Sequence, residues 1–221
     1  MDQAAPHVTD GERRRLPVAR EGWPFILGPA AVAAALFLVG RRGLAAPFAL
    51  ASLASLGFFR DPEREVPPAT GGVLAPADGT VTAIVDDEDG FVGPAVRVSI
   101  FLSPLDVHVN RAPIAGMVVD ARYTPGRFRA AYQPEAGLVN ERCAIHIQGE
   151  RARVTVVQIA GVLARRIVCR VGPGDTLEAG ERFGLIRFGS RTDCYMPRGT
   201  DVRVRIGDRV TGGVTELARL V

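Results

Sequence analysis

The sequence predicts a mainly β protein, a compact barrel-like or sandwich-like domain preceded by an apolar helical segment suited to membrane attachment. Three observations predict it. Two uncharged apolar runs occupy residues 24–39 and 44–59. From Val66 onward the texture changes to short runs rich in Val and Ile, bounded by Gly, Pro and Asp. No run in that second part is long or periodic enough to demand a long helix. The 221 residues suffice for one ordinary domain with an appendage.

In chain order, residues 1–22 are polar, with Arg13, Arg14, Arg15 and Arg20, and read as a frayed tail. Residues 23–60 form the apolar segment, broken at Arg41 and Arg42. Each half falls a little short of the ~20 residues that cross a bilayer upright, so a tight transmembrane hairpin and a re-entrant or monotopic insertion both stay open. A cleaved signal peptide begins in a similar way, but a second apolar run stands where a mature domain should open. Basic residues flank both ends of the pair, which favours both ends, and the domain beyond, at the cytoplasmic face of the cell membrane.

Residues 61–221 make up the β-rich domain, with strands expected at 80–85, 95–102, 116–123, 143–148, 154–159, 167–171 and 201–206. An internal echo, Gly174-Asp-Thr-Leu-Glu-Ala-Gly180 and Gly207-Asp-Arg-Val-Thr-Gly-Gly213, reads as two matching turns between strands, architecture rather than chemistry. Residues 123–142 are the longest irregular stretch, and loops of that length in compact domains are often functional.

Composition excludes several functions. The formal charge of +3 is too small to imply nucleic-acid binding. All the basic side chains apart from three histidines are arginines, whose planar fork suits phosphate and carboxylate groups. The clusters Arg122, Arg127, Arg129 and Arg165, Arg166 fit either an anionic lipid surface or a solvated face. Cys143, Cys169 and Cys194 are odd in number and lack a Cys-x-x-Cys spacing, which argues against a zinc site or a disulfide framework. A chain without lysine cannot hold pyridoxal phosphate as a Schiff base, nor carry biotin or lipoate. Amine chemistry on this chain requires a carbonyl made from its own backbone.

Gly189-Ser190 permits that. The Ser190 hydroxyl can attack the Gly189 carbonyl and convert the amide to an ester, and β-elimination followed by hydrolysis leaves a pyruvoyl group at a new N-terminus. As a dipeptide Gly-Ser usually marks a turn, but its surroundings carry more. The stretch Glu181-Arg-Phe-Gly-Leu-Ile-Arg-Phe-Gly-Ser-Arg-Thr-Asp-Cys-Tyr-Met-Pro197, with Phe59-Arg-Asp-Pro62, Ala75-Pro-Ala-Asp-Gly79, Ser103-Pro-Leu-Asp-Val-His-Val-Asn-Arg111 and Asn140-Glu-Arg142, resembles the phosphatidylserine decarboxylase proenzymes of the short bacterial type.

The resemblance implies a self-processing lyase of phospholipid biosynthesis that converts phosphatidylserine to phosphatidylethanolamine and carbon dioxide. It implies cleavage between Gly189 and Ser190 into fragments 1–189 and 190–221 that stay together, with a higher oligomer left open. It also implies a covalent pyruvoyl group derived from Ser190, with no metal or dissociable cofactor, and makes the irregular stretch a cover for the substrate. Among the histidines, His7 lies in the tail and His146 alternates with Ile145 and Ile147 as a structural strand residue. His108 reads as a loop histidine bonded to backbone on its own, and by resemblance as an active-site residue and acid–base candidate. Asp78 reads as a turn residue on its own, and by resemblance as a member of a self-processing relay with a histidine and Ser190. The larger branch of the family has a second histidine where Arg111 stands, and arginine cannot serve as a base. Either His108 takes over that task or cleavage relies on backbone strain. Arg111 then becomes a candidate to hold the substrate's phosphodiester, and Asn140 and Arg142 to anchor the cover.

Two other readings stay open: a non-enzymatic membrane-anchored β adaptor, and a pyruvoyl decarboxylase of a soluble amino acid. A serine hydrolase is more distant, because Ser190 lacks a Gly-x-Ser-x-Gly elbow.

Overall fold

A computed structural model describes residues 17–68, 71–133, 135–162, 166–187 and 189–220. Most of the polar tail, Arg13 to Arg15 and His7 included, and Arg165 thus lie outside the described residues. The chain forms two compact units, one from residues up to Leu56 together with Arg60–Pro62, the other from Gly57–Phe59 and Glu63–Val221.

In the first unit a 3-10 turn at Arg20–Gly22 leads into α1 (Trp23–Leu38), and α2 (Arg42–Phe58) follows after a short turn. Proline opens α1, where its missing N–H is no loss. The Ser52 hydroxyl donates to the Ile26 carbonyl at 2.8 Å, bonding the two helices to each other. Their apolar side chains largely face outward, Leu27, Phe37, Leu38, Leu44, Leu50 and Leu53 among them. A helix apolar on every side has no water-facing stripe. Residues Arg20–Leu38 make a helix of 19 residues, long and apolar enough to cross a membrane, whereas α2 is shorter.

The second unit is mainly β, as expected. Its strands are β1 (Gly72–Leu74), β2 (Gly79–Asp89), β3 (Gly93–Leu102), β4 (Val109–Arg111), β5 (Gly116–Thr124), β6 (Arg142–Gln148) and β7 (Arg153–Ile159). They continue with β8 (Ile167–Cys169), β9 (Thr176–Leu177), β10 (Arg182–Ile186), β11 (Ser190–Pro197), β12 (Asp201–Val202), β13 (Arg209–Val210) and β14 (Glu216–Arg219). One helical turn, α3 (Ala136–Val139), interrupts the irregular stretch. An eight-stranded antiparallel sheet in the order β13-β2-β3-β11-β7-β6-β5-β9 curls into half a barrel. Two three-stranded sheets, β4-β10-β8 and β1-β14-β12, complete the unit.

The curled sheet encloses a core that includes Val98, Ile100, Ile145, Ile147, Val154, Val156, Phe183, Cys194, Met196 and Leu217. Strict alternation in β6 puts Cys143, Ile145 and Ile147 inside, and the outward His146 stacks on Phe91 with ring centroids 4.9 Å apart. His146 is thus a surface strand residue. The strand expected over 201–206 ends at Val202, because the Asp208 carboxylate accepts the Arg205 N–H at 2.8 Å and pulls the chain into a turn. In the echoed segment the Asp175 carboxylate accepts the Gly172 N–H at 2.8 Å, so both copies share one capping device.

Candidate active site

β11 lies between β3 and β7, with Ser190 opposite Leu102 at its start. Ser190, Thr192, Cys194 and Met196 face the core, and Arg191, Asp193 and Tyr195 the other side. Ser190 is fully buried, and its Oγ has no hydrogen-bond partner among the described residues. Burying a hydroxyl without a partner costs about 1–3 kcal/mol, which marks the position as one kept for something other than stability. Gly189, immediately upstream, has φ +58°, a left-handed conformation that glycine adopts most readily. Its carbonyl oxygen occupies the space where a side chain on Gly161 would begin.

Beside Ser190 runs a buried polar chain. The Gln158 amide donates to Asn110 Oδ1 at 2.8 Å, and Asn110 Nδ2 donates to Thr192 Oγ1 at 3.2 Å and to the Pro76 carbonyl at 3.3 Å. The Asn110–Thr192 bond joins β4 to β11 inside the protein, Ser190 preceding Thr192 by two residues on the same strand and His108 standing just before β4. The His108 carbonyl also accepts the Ile186 N–H at 3.2 Å, joining it to the end of β10, four residues before Ser190.

His108 is 2 % exposed, and its ring packs on Phe58 with centroids 4.3 Å apart. Its Nδ1 lies 2.9 Å from the Asp106 carbonyl oxygen. A carbonyl only accepts, so Nδ1 carries the proton, and in the neutral ring Nε2 keeps its lone pair. That is the tautomer a base needs. The turn holding this geometry is fastened by the Asp106 carboxylate, which accepts the Ser103 N–H at 2.7 Å and pairs with Arg209. Burial alone would raise the Asp106 carboxyl, but the bonds from Arg209 and Ser103 outweigh it and hold the group below its ordinary range.

Three hydrogen bonds hold the Asp78 carboxylate. Its two oxygens accept Arg64 Nη1 and Nη2 at 2.6 and 2.8 Å, and the Gly212 N–H adds a bond of 2.8 Å. The structure thus shows Asp78 stapling the turn before β2 to the segment after β13. Arg111 is 3 % exposed, its Nη1 donating to the Gly180 carbonyl at 3.0 Å and its stem lying against Gly213. It sits between the ends of the two echoed turns.

Asn140 and Arg142 serve the irregular stretch. Asn140 Oδ1 accepts the Arg129 N–H at 2.9 Å, while Nδ2 donates to the Arg129 and Ala160 carbonyls, both at 2.8 Å. Arg142 Nη1 donates to the Leu138 carbonyl at 2.9 Å. From β11, Arg191 grips Asp193 through two bonds of 2.7 and 2.6 Å and reaches the Gln133 carbonyl at 3.3 Å. Of the arginines read as fitting either an anionic lipid surface or a solvated face, Arg122 pairs with Asp120 and Arg129 with Glu135. Asn140→Ala should cost about 2–4 kcal/mol, because it strands buried backbone groups. Limited proteolysis should then cut first within residues 125–139, and an unchanged digestion pattern would show that Asn140 does not hold the segment.

Sequence reading missed Gln158, Gly161 and Arg209, and gave no role to Asp106, which it had only as part of a motif block. A polar residue at a buried position of an otherwise apolar strand was the available signal for Gln158. Nothing local distinguishes Gly161, whose importance comes from a segment 28 residues away.

Residues 53–218 match the phosphatidylserine decarboxylase family. The chain is 49 % identical over 203 residues to the phosphatidylserine decarboxylase proenzyme of Nitrosomonas europaea, covering 91 % of this chain and 94 % of the relative. It is 47 % identical to the proenzyme of the same name from Nitrosomonas eutropha, with the same coverage. The Burkholderia mallei proenzyme is 46 % identical over 205 residues, covering 92 % of this chain and 95 % of that one. With the motif blocks, the buried Ser190 after a left-handed glycine and this extent of identity, the chain belongs to the phosphatidylserine decarboxylase family.

Proposed function

We propose that this chain is a precursor that cuts itself between Gly189 and Ser190 and, as two associated fragments, converts phosphatidylserine to phosphatidylethanolamine and carbon dioxide at a membrane surface. The observation that carries the reading is the buried Ser190 hydroxyl, without a hydrogen-bond partner among the described residues, beside a left-handed Gly189 in the family's cleavage motif. These residues fit a pyruvoyl group made in place. Such a group supplies a carbonyl that takes up the substrate amine and draws off the electrons left at Cα when carbon dioxide departs.

The remaining tasks fall to the chain's own side chains. His108, with its proton on Nδ1, offers Nε2 as the base for the Ser190 hydroxyl, and in turnover the same ring is the candidate to deliver a proton to Cα. Asp78 supports the site by holding residues 64, 78 and 212 together, a coarser task than a proton relay. Arg111 contributes fixed positive charge for the phosphodiester, and Asn140 and Arg142 act on the substrate through the segment they anchor. Association after cleavage follows from topology: β11 lies between β3 and β7, β13 pairs with β2 and β14 with β1, so fragment 190–221 is woven into fragment 1–189.

Attachment to the membrane rests on the outward apolar faces of α1 and α2. Arg41 and Arg42 stand where the helices meet, and carrying two arginines across a bilayer is costly. A monotopic insertion from the cytoplasmic face is therefore the better supported geometry. The family assignment lends no support to an uncut adaptor or to a decarboxylase of a soluble amino acid. Intact-mass measurement of the purified protein tests the reading: two fragments should appear, the smaller starting at residue 190 with a pyruvoyl in place of serine. A single intact chain that decarboxylates phosphatidylserine would overturn it.

A further inference from the structure

We infer that Gly161 is a positioning residue for self-cleavage: its bare Cα is the seat against which the Gly189 carbonyl oxygen is held while Ser190 attacks. The inference rests on the cleavage reading above and adds a residue to it. A Cβ built on Gly161 overlaps the Gly189 oxygen and lies 3.1 Å from the Gly189 carbonyl carbon and 3.3 Å from Ala131 Cβ. At Gly189 itself a Cβ would meet nothing within 4 Å among the described residues. The two glycines are thus needed for different reasons, Gly189 for its backbone angle and Gly161 for the absence of a side chain. Gly161 stands two residues past the end of β7, and β7 pairs with β11 in register from Arg191↔Ile159, so the sheet itself carries Gly161 to the scissile bond. Ala160, beside it, is fixed from two sides: its N–H donates to the Glu141 carbonyl at 2.9 Å, and its carbonyl accepts Asn140.

The chemistry gives this seat a use. Attack by Ser190 Oγ on the Gly189 carbon forms a C–O bond and pushes the carbonyl electrons onto the oxygen; collapse then breaks the C–N bond. The serine proton leaves with the base and returns to the released amine nitrogen, so amide becomes ester without any co-reactant. Direction of attack is set by where the carbonyl oxygen points. Restoring an ordinary carbon–oxygen contact of roughly 3.3 Å after adding a methyl group at Gly161 requires the carbonyl to move by on the order of 1 Å. A displacement of that size at a reacting centre costs about 100-fold in rate.

The test compares the full-length Gly161→Ala, Gly149→Ala and Ser190→Ala proteins, following cleavage by gel and intact mass and folding by thermal melting. Gly149 is a second crowded glycine, a Cβ there meeting Ile114 Cδ1 at 2.8 Å and the Ala115 carbonyl at 3.0 Å, away from the scissile bond. Gly161→Ala should accumulate as a folded precursor that melts with Ser190→Ala and is cut at least about 100-fold more slowly than wild type. Gly149→Ala should be cut at the wild-type rate. Wild-type cleavage of Gly161→Ala would overturn the inference. So would an unfolded Gly161→Ala protein, or equal loss of cleavage in both glycine variants, because Gly161 would then be an ordinary packing residue. An uncut wild-type chain would instead defeat the self-cleavage reading.

Discussion

Ser190→Ala should yield a single unbroken chain of 221 residues with no detectable decarboxylase activity. On the proposed reading the lost group is both the attacking atom in cleavage and the source of the carbonyl, and the chain holds no lysine that could supply a substitute through a bound aldehyde. The variant should not pay for this in stability. The Ser190 hydroxyl is buried without a partner among the described residues, so its removal relieves a desolvation cost of about 1–3 kcal/mol. The variant should therefore melt no lower than the uncut wild-type precursor, which separates loss of chemistry from loss of fold. Turnover of phosphatidylserine by an uncut Ser190→Ala chain would place the electrophile elsewhere.

His108→Ala carries the second largest expected effect. It should abolish turnover and slow cleavage by about 10²–10⁴-fold, the usual contribution of a positioned base. The Asp106 carbonyl fixes which ring nitrogen bears the proton, and the carboxylate of the same residue fixes the turn. His108→Gln should not restore either reaction, since an amide preserves polarity without accepting a proton. Measuring cleavage and lipid decarboxylation separately divides the outcomes. Normal cleavage with no turnover would move the self-cleavage base away from His108 and leave backbone geometry at Gly189 as the main driver. Normal turnover would remove His108 from the mechanism altogether.

The alternation of Cys143, Ile145 and Ile147, the apolar runs and the echoed Gly-Asp turns were legible because each depends on neighbours in sequence. The structure kept all three. Short strands such as β4, β12 and β13 were not legible, because two or three residues carry no period and owe their conformation to the partners they meet. The site divides in the same way. Ser190, Gly189, His108, Asp78 and Arg111 all lie in recognisable blocks, whereas the bonds of Asp78 to Arg64 and Gly212 and the burial of Arg111 against Gly180 are contacts no local pattern announces.

By itself the sequence determined the class of chemistry: a chain with no lysine, a Gly-Ser bond in a family motif and an apolar lead-in that suits a lipid substrate. Only the tertiary structure decided which atoms face one another: the Gly189 carbonyl lies against Gly161, the Asp106 carbonyl meets His108 Nδ1, and β11 is flanked by β3 and β7. The reason is physical. Residue type and spacing encode reactivity and short-range conformation, while approach between segments tens of residues apart depends on strand register, which packing of the whole sheet selects.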